Sequence, residues 1–312
     1  MIAKLPLLIS LAVITSACSD GTAPGSVDAA APIAFTVRAP HPDSMPLYLV
    51  QPDGSNLRRI LDGAGTRYGV TWAPDRNRLA YVFSRSGKVN ESELRIVNAD
   101  GTGDHAILGP GTYSNPAWAP GGSRILFTEQ VAGGMLQLET VAPDGSGRAP
   151  LGTRVADDQD PAWAPDGRSV AFVSNCRGEP PCDPAVADLW VMNADGSNPR
   201  QLTFGTGIDD DAGAPTWSPD GKWIAFQMHR DQATNIYRIR PTGDSLQQLT
   251  SGDASVSRLW PSYSPDGSAL LFTRWEGYDS VNTPLFIASP DGSDPRPLGL
   301  TVGEPVGATW AR

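Results

Sequence analysis

Pro215-Thr216-Trp217-Ser218-Pro219-Asp220-Gly221-Lys222-Trp223-Ile224-Ala225-Phe226 decides the fold, because versions of it recur along almost the whole chain. Its centre returns as Trp72-Ala73-Pro74-Asp75, Trp118-Ala119-Pro120-Gly121, Trp163-Ala164-Pro165-Asp166-Gly167 and Tyr263-Ser264-Pro265-Asp266-Gly267, with a truncated copy at Trp310-Ala311-Arg312. The aromatic residues, at 72, 118, 163, 217, 263 and 310, are 46, 45, 54, 46 and 47 residues apart. That period is the one expected of a repeated unit of four short strands.

A second element falls about midway between the aromatics. It reads Pro52-Asp53-Gly54-Ser55, Ala99-Asp100-Gly101-Thr102, Pro143-Asp144-Gly145-Ser146, Ala194-Asp195-Gly196-Ser197, Pro241-Thr242-Gly243-Asp244 and Pro290-Asp291-Gly292-Ser293. Proline presets φ at the first central turn residue, aspartate suits the second, and glycine accepts the left-handed conformation that closes a short hairpin loop. Both elements therefore read as hairpin tips. The runs between them, such as Val170-Ala171-Phe172-Val173 and Leu189-Trp190-Val191-Met192, are short, β-branched or aromatic, and read as strands. A further strand follows each Asp-Gly turn, as at Arg200-Gln201-Leu202-Thr203 and Gln247-Gln248-Leu249-Thr250.

The ends of the sequence set the number of units. The first repeat opens at Ile33-Ala34-Phe35-Thr36-Val37 without the Trp strand that precedes it elsewhere, and the last residues, Ala308-Thr309-Trp310, are that strand. The expected fold is all-β: a six-bladed propeller of four-stranded antiparallel blades, in which the C-terminal strand completes the N-terminal blade and closure removes free sheet edges.

These residues resemble the TolB-type propeller repeat, whose pattern runs Pro-x-Trp-Ser-Pro-Asp-Gly-Lys, then Ile-Ala-Phe, then an Asp-Gly turn and Leu-Thr. The resemblance covers about residues 32 to 312 and is closest from Pro215 to Phe226. Departures are local: Gly121-Gly122 replaces Asp-Gly, Arg76-Asn77 follows Asp75, Tyr263 replaces Trp, and Thr242-Gly243-Asp244 alters the second turn. Nothing here is similar to the amino-terminal α/β domain of TolB, so the resemblance implies the fold and leaves the role to the site.

Residues 1–17 read as an export signal, with Lys4, an apolar run from Leu5 to Ile14 and the small pair Ser16-Ala17. Ile14-Thr15-Ser16-Ala17-Cys18 resembles a bacterial lipobox, which implies lipidation of Cys18; ordinary signal cleavage that leaves a free cysteine is the alternative. Ser19 after the cysteine, by resemblance to enterobacterial sorting, favours the outer membrane. Residues 18–32, rich in Gly, Ala, Ser and Pro, then form a tether, and residues 33–312 form the propeller. The expected product is a monomeric, periplasm-facing lipoprotein of the bacterial envelope, held to the membrane through its anchor. Cys176 and Cys182 flank a five-residue loop and read as a disulfide in an oxidising compartment; a metal site there lacks further ligands at suitable spacing. A net charge of −10 argues against nucleic acid and favours a neutral or basic partner.

The segments leading into the Trp strands differ most among the repeats and surround one mouth of the expected channel. Asp157, Asp158 and Asp160 lie in one, Asp209, Asp210 and Asp211 in the next, and Arg258 and Trp260 further round, with Trp275 on a neighbouring connection. This rim is the candidate binding site, for a protein, peptide or glycan. Solvated loop charge is the plainer reading of any single aspartate. The acids admit Ca²⁺, which takes six to eight oxygens, although neither run has calcium-loop spacing; no other cofactor is expected. The repeated Trp residues read as packing between blades. No Gly-x-Ser-x-Gly elbow occurs and the three histidines, His41, His105 and His229, are scattered. A binding or scaffold module is therefore expected. The alternatives are a carboxylate glycosidase or lyase using a pair such as Asp160 and Asp211, or an accessory subunit of a hydrolase or transport system.

Overall fold

The computed structural model describes residues 31–38, 44–85, 88, 91–152, 157–175, 186–205, 210–252, 254–276 and 284–311. These residues form six four-stranded sheets and no helix. Blade 1 combines Ile33–Arg38, Leu47–Val50 and Arg58–Leu61 with the C-terminal strand Glu304–Trp310, which pairs antiparallel with Ile33–Arg38. Blades 2 to 6 run in chain order, starting from the inner strands Thr66–Trp72, Tyr113–Trp118, Asp158–Trp163, Ala212–Trp217 and Ser257–Tyr263. The expected closure is thus present: Ile33 lies opposite Trp310, and the Ala311 N–H reaches the Pro32 carbonyl at 2.9 Å.

The turns form for the reasons their residues suggest. In Asp53, Asp144 and Asp291 the carboxylate accepts the N–H two residues on, at 2.8, 2.9 and 3.0 Å, and the following glycines sit at φ of +84°, +84° and +83°. Asp100 and Asp195, in the two Asn-Ala-Asp-Gly copies, do the same with Thr102 and Ser197 at 2.9 Å. At the other hairpin tip Arg76 takes the left-handed place held by glycine in blades 3 to 6, with φ of +57°.

The Leu-Thr pair at the end of a repeat also has a visible cause. Thr203 Oγ1 accepts the Leu189 N–H at 2.9 Å and donates to the fully buried Asp188, and Thr250 Oγ1 accepts the Ile236 N–H at 2.9 Å and donates to Asn235. The outer strands are only two residues long in blades 3 to 6, and in blades 4 and 5 these hydroxyls extend the hold that so short a ladder provides.

The core lies between blades rather than within them. Phe226, Trp217 and Ile224 of blade 5 pack against Ala171, Leu189 and Leu202 of blade 4, and Phe35, Ile33 and Trp310 of blade 1 pack against Leu271, Leu285 and Ile287 of blade 6. Both faces of a blade are covered, which is why runs such as Val170-Ala171-Phe172-Val173 are buried throughout.

Candidate binding channel

Each inner strand breaks its ladder at one place, three residues before the aromatic. Gly69, Asn115, Asp160, Ala214, Trp260 and Gly307 occupy these bulges, all left-handed, with φ of +62°, +48°, +51°, +47°, +54° and +60°. A bulge inserts a residue that the partner strand does not match and re-aims its side chain. Here all six face the central channel. A proline follows in four of them, at Pro116, Pro161, Pro215 and Pro261, where no ladder N–H is needed.

The channel below this ring is a cavity of about 610 Å³ that extends to Pro74, Pro120, Pro165, Pro219 and Pro265 of the Trp-x-Pro turns. Among its described lining residues two are charged, Asp160 in the ring and Arg76 toward the proline end. In blade order from 1 to 6 the ring presents Gly307, Gly69, Asn115, Asp160, Ala214 and Trp260.

In blades 5 and 6 a side chain from the preceding blade accepts the backbone N–H of the bulge residue. Asp160 Oδ2 accepts the Ala214 N–H at 2.9 Å, and Gln227 Oε1 accepts the Trp260 N–H at 3.0 Å. The Asn115 amide donates to Asp160 Oδ1, so this carboxylate joins blades 3, 4 and 5. Burial pushes the Asp160 carboxyl above the usual aspartate range, against the two hydrogen bonds that favour its charge.

The other expected rim residues have different surroundings. Asp157 and Asp211 hold the same place in adjacent blades, and each accepts an N–H of the blade before it, Leu136 and Ala187 respectively, at 2.8 Å. Asp210 pairs with Arg230 at 2.7 Å. Asp158 is buried opposite Ser174 in the ladder. Arg258 donates to the Val256 carbonyl at 3.1 Å and approaches Asn235 Oδ1 at 3.5 Å, clamping the segment that leads into its own strand. Its counterpart in blade 2, the buried Arg67, gathers the carbonyls of Met45, Asp62, Gly63 and Gly65 in the same manner. Trp275 is half-buried opposite Ser257 on the second strand of blade 6. Asp209, Cys18, Cys176 and Cys182 lie outside the described residues.

Of the expected set, then, the channel cavity brings together Asp160 and Trp260. It adds Asn115, Ala214 and Arg76, which the reading of the rim did not single out. The signal for the first two was the residue-Pro pair ahead of each Trp, and for Arg76 its substitution at a glycine position. Among the described residues no three His, Cys, Asp or Glu side chains converge as a metal site requires.

The sequence profile of the TolB beta propeller domain matches residues 30–182 and 182–289. The chain belongs to the TolB beta-propeller family. Within that family it is similar to the Tol-Pal system protein TolB of Anaeromyxobacter dehalogenans, 31% identical over 199 residues that make up 61% of this chain and 42% of that protein. The chain spans less than half the length of the curated relatives it matches. The crystal structure of TolB from Acinetobacter baumannii superposes with a TM-score of 0.75 at 21% identity, over 91% of this chain and 67% of that one. An oligogalacturonate lyase from Vibrio parahaemolyticus shares the fold more distantly, with a TM-score of 0.54 and 15% identity over 81% of this chain and 70% of that one. At these identities the structural likeness speaks for the fold alone.

Proposed function

We propose that this TolB-like propeller is a lipid-anchored binding module of the bacterial envelope, facing the periplasm, whose channel receives a segment of a neutral or basic protein or peptide partner. A glycan is the remaining class the mouth would admit. The observation that carries the reading is the channel: about 610 Å³ of mainly small and apolar wall, with Asp160 the single carboxylate among its described lining residues. Cavities of this size with few placed polar groups are where ligands bind. An acid in low-dielectric surroundings favours a cationic or hydrogen-bond-donating group over an anion.

The envelope location rests on the signal and lipobox pattern ending at Cys18, and it agrees with the relative named for the Tol-Pal system. A binding role is favoured over a carboxylate enzyme because Asp160 and Asp211, the pair that hydrolysis or elimination would call on, each hold a neighbouring blade's N–H.

A photo-crosslinking residue at Ala214, in the channel, compared with one at Gln248, on an exposed outer strand, tests the reading in intact cells. The expected result is a discrete adduct from position 214, reduced by Asp160→Asn, and none from 248. Equal adducts from both positions would refute channel binding.

A further inference from the structure

At the seam between blades 5 and 6, on the face where the Trp-x-Pro turns lie, the chain departs from its own repeat twice. Blade 6 carries Tyr263 where the other five blades carry Trp, and blade 5 carries Trp223 six residues after its aromatic, where blades 2, 3, 4 and 6 carry Arg78, Arg124, Ser169 and Ala269. A second cavity, of about 500 Å³, opens there, on the far side of Pro219 from the channel wall that this proline also lines. Its walls are Trp223, Arg238 and Tyr263, with the carboxylates of Asp220 and Asp266 and the backbone near Pro290.

Tyr263 is 2% exposed, and its hydroxyl lies beside the Arg238 guanidinium without a hydrogen bond of normal geometry to any described residue. A buried hydroxyl so poorly satisfied is one that phenylalanine would match in packing, which leaves its retention to be explained by a ligand. Burial pushes the phenol up to about 12, while the nearby Arg238 guanidinium pulls the other way. That guanidinium is held in place: it lies 4.3 Å from the Trp223 ring centroid, its Nε donates to Gln247 at 2.9 Å and its Nη1 to the Pro290 carbonyl at 3.2 Å. Asp220 is engaged by Ser218 and Lys222, and Asp266 by Ser264 and Ser268.

We infer that this seam binds a neutral, hydroxyl-rich ligand of monosaccharide size. Two carboxylates on the walls oppose a phosphate or carboxylate ligand, and Arg238, with Arg240 on the same Trp223 ring and Lys222 paired to Asp220, opposes a free cation. A ligand that both donates and accepts without carrying charge suits the set: its oxygens accept from Arg238 and Tyr263, and its hydroxyls donate to Asp220 and Asp266. The volume falls within the range of about 300–1,000 Å³ found for small-molecule sites. The aromatic wall supplies an apolar surface for a sugar's C–H face.

Saturation-transfer NMR on the full chain tests this, with glucose, galactose and N-acetylglucosamine as neutral probes and galacturonate and glucosamine as charged ones. Transfer to at least one neutral sugar is expected, abolished by Trp223→Ser and weakened about tenfold by Tyr263→Phe, the loss of roughly one hydrogen bond. Tyr263→Phe should melt no lower than the parent chain, which shows that the weakening is not loss of fold. Transfer to charged probes alone, transfer to none, unchanged binding in Tyr263→Phe, or a lower melting temperature in that variant would each overturn the inference. The channel reading stands or falls separately, on the crosslinks from position 214.

Discussion

The carboxylate of Asp160, on blade 4, accepts the backbone N–H of Ala214, on blade 5, at 2.9 Å. Its other oxygen takes the Asn115 amide of blade 3, so one side chain at the channel wall fastens three blades. Asp160→Ala leaves both donors without that acceptor and should cost about 1–3 kcal/mol in urea unfolding, whereas Asp160→Asn, which keeps a carbonyl oxygen, should cost less. The pH dependence has a definite sign. Because the folded carboxyl titrates above its ordinary value of 3.8, the native state holds its proton after the unfolded chain has released it. Stability from this residue therefore falls as pH rises through the folded-state value and is constant beyond it. Asp160→Asn should remove that decline, so its stability relative to the parent should improve from acid to neutral pH; a difference independent of pH would contradict the account.

Arg76 bears a left-handed turn and also lines the proline end of the channel. A non-glycine residue at such a φ carries about 1–2 kcal/mol of steric cost, partly offset by the chain entropy that glycine adds to the unfolded state. Arg76→Gly should raise stability by roughly 0.5–1 kcal/mol in thermal melts. If a partner's polar groups reach this end, the same variant should also lower crosslinking from position 214.

Trp310 is fully buried between blades 6 and 1, on the strand that closes the ring. Trp310→Ala should cost about 3–5 kcal/mol. Removal of residues 304–312 should do more, exposing the edge of Ile33–Arg38 and broadening the unfolding transition in calorimetry as end blades separate from the rest. A sharp transition at the parental temperature after that deletion would show that closure contributes nothing.

Arg67 and Arg258 are clamps on the segments leading into blades 2 and 6. Arg67 reaches four carbonyls and also lies 5.2 Å from the Phe83 ring centroid. Lysine has a point charge without the planar fork, so Arg67→Lys should lose about 1.5–3 kcal/mol, and hydrogen exchange should rise first around residues 61–66.

Cys18→Ser should move the protein from the membrane to the soluble periplasmic fraction on cell fractionation. Retention in the membrane would argue against lipidation of Cys18 as the anchor.

The candidate site was less legible than the fold. The Asp157–Asp160 and Asp209–Asp211 runs read alike as acidic rims, yet Asp157 and Asp211 hold adjacent blades, Asp210 holds Arg230, and Asp160 lines the lumen. Alternation along a strand places Asp158 and Asp160 on one face; the bulge after Gln159 breaks that register, leaving Asp158 buried opposite Ser174 and Asp160 facing the channel. The residue-Pro-x-Trp pattern carried a hint of this break, but only the positive φ values show that it occurs in every blade.

By itself the sequence determined what is local and repeated: the two turns of each unit, the strands between them, six units from their period, and the strand at Trp310 that completes the blade begun at Ile33. Turn chemistry and strand patterning act over a few residues, so a repeating chain states them six times over. Tertiary structure alone decided which polar groups are committed and which face a cavity. The Ala214 N–H that engages Asp160 lies 54 residues away along the chain, and the Tyr263 hydroxyl is enclosed by Arg238 of another blade. Hydrogen-bond satisfaction is settled across the blade seams, where distant parts of the chain meet, and periodicity carries no record of those pairings.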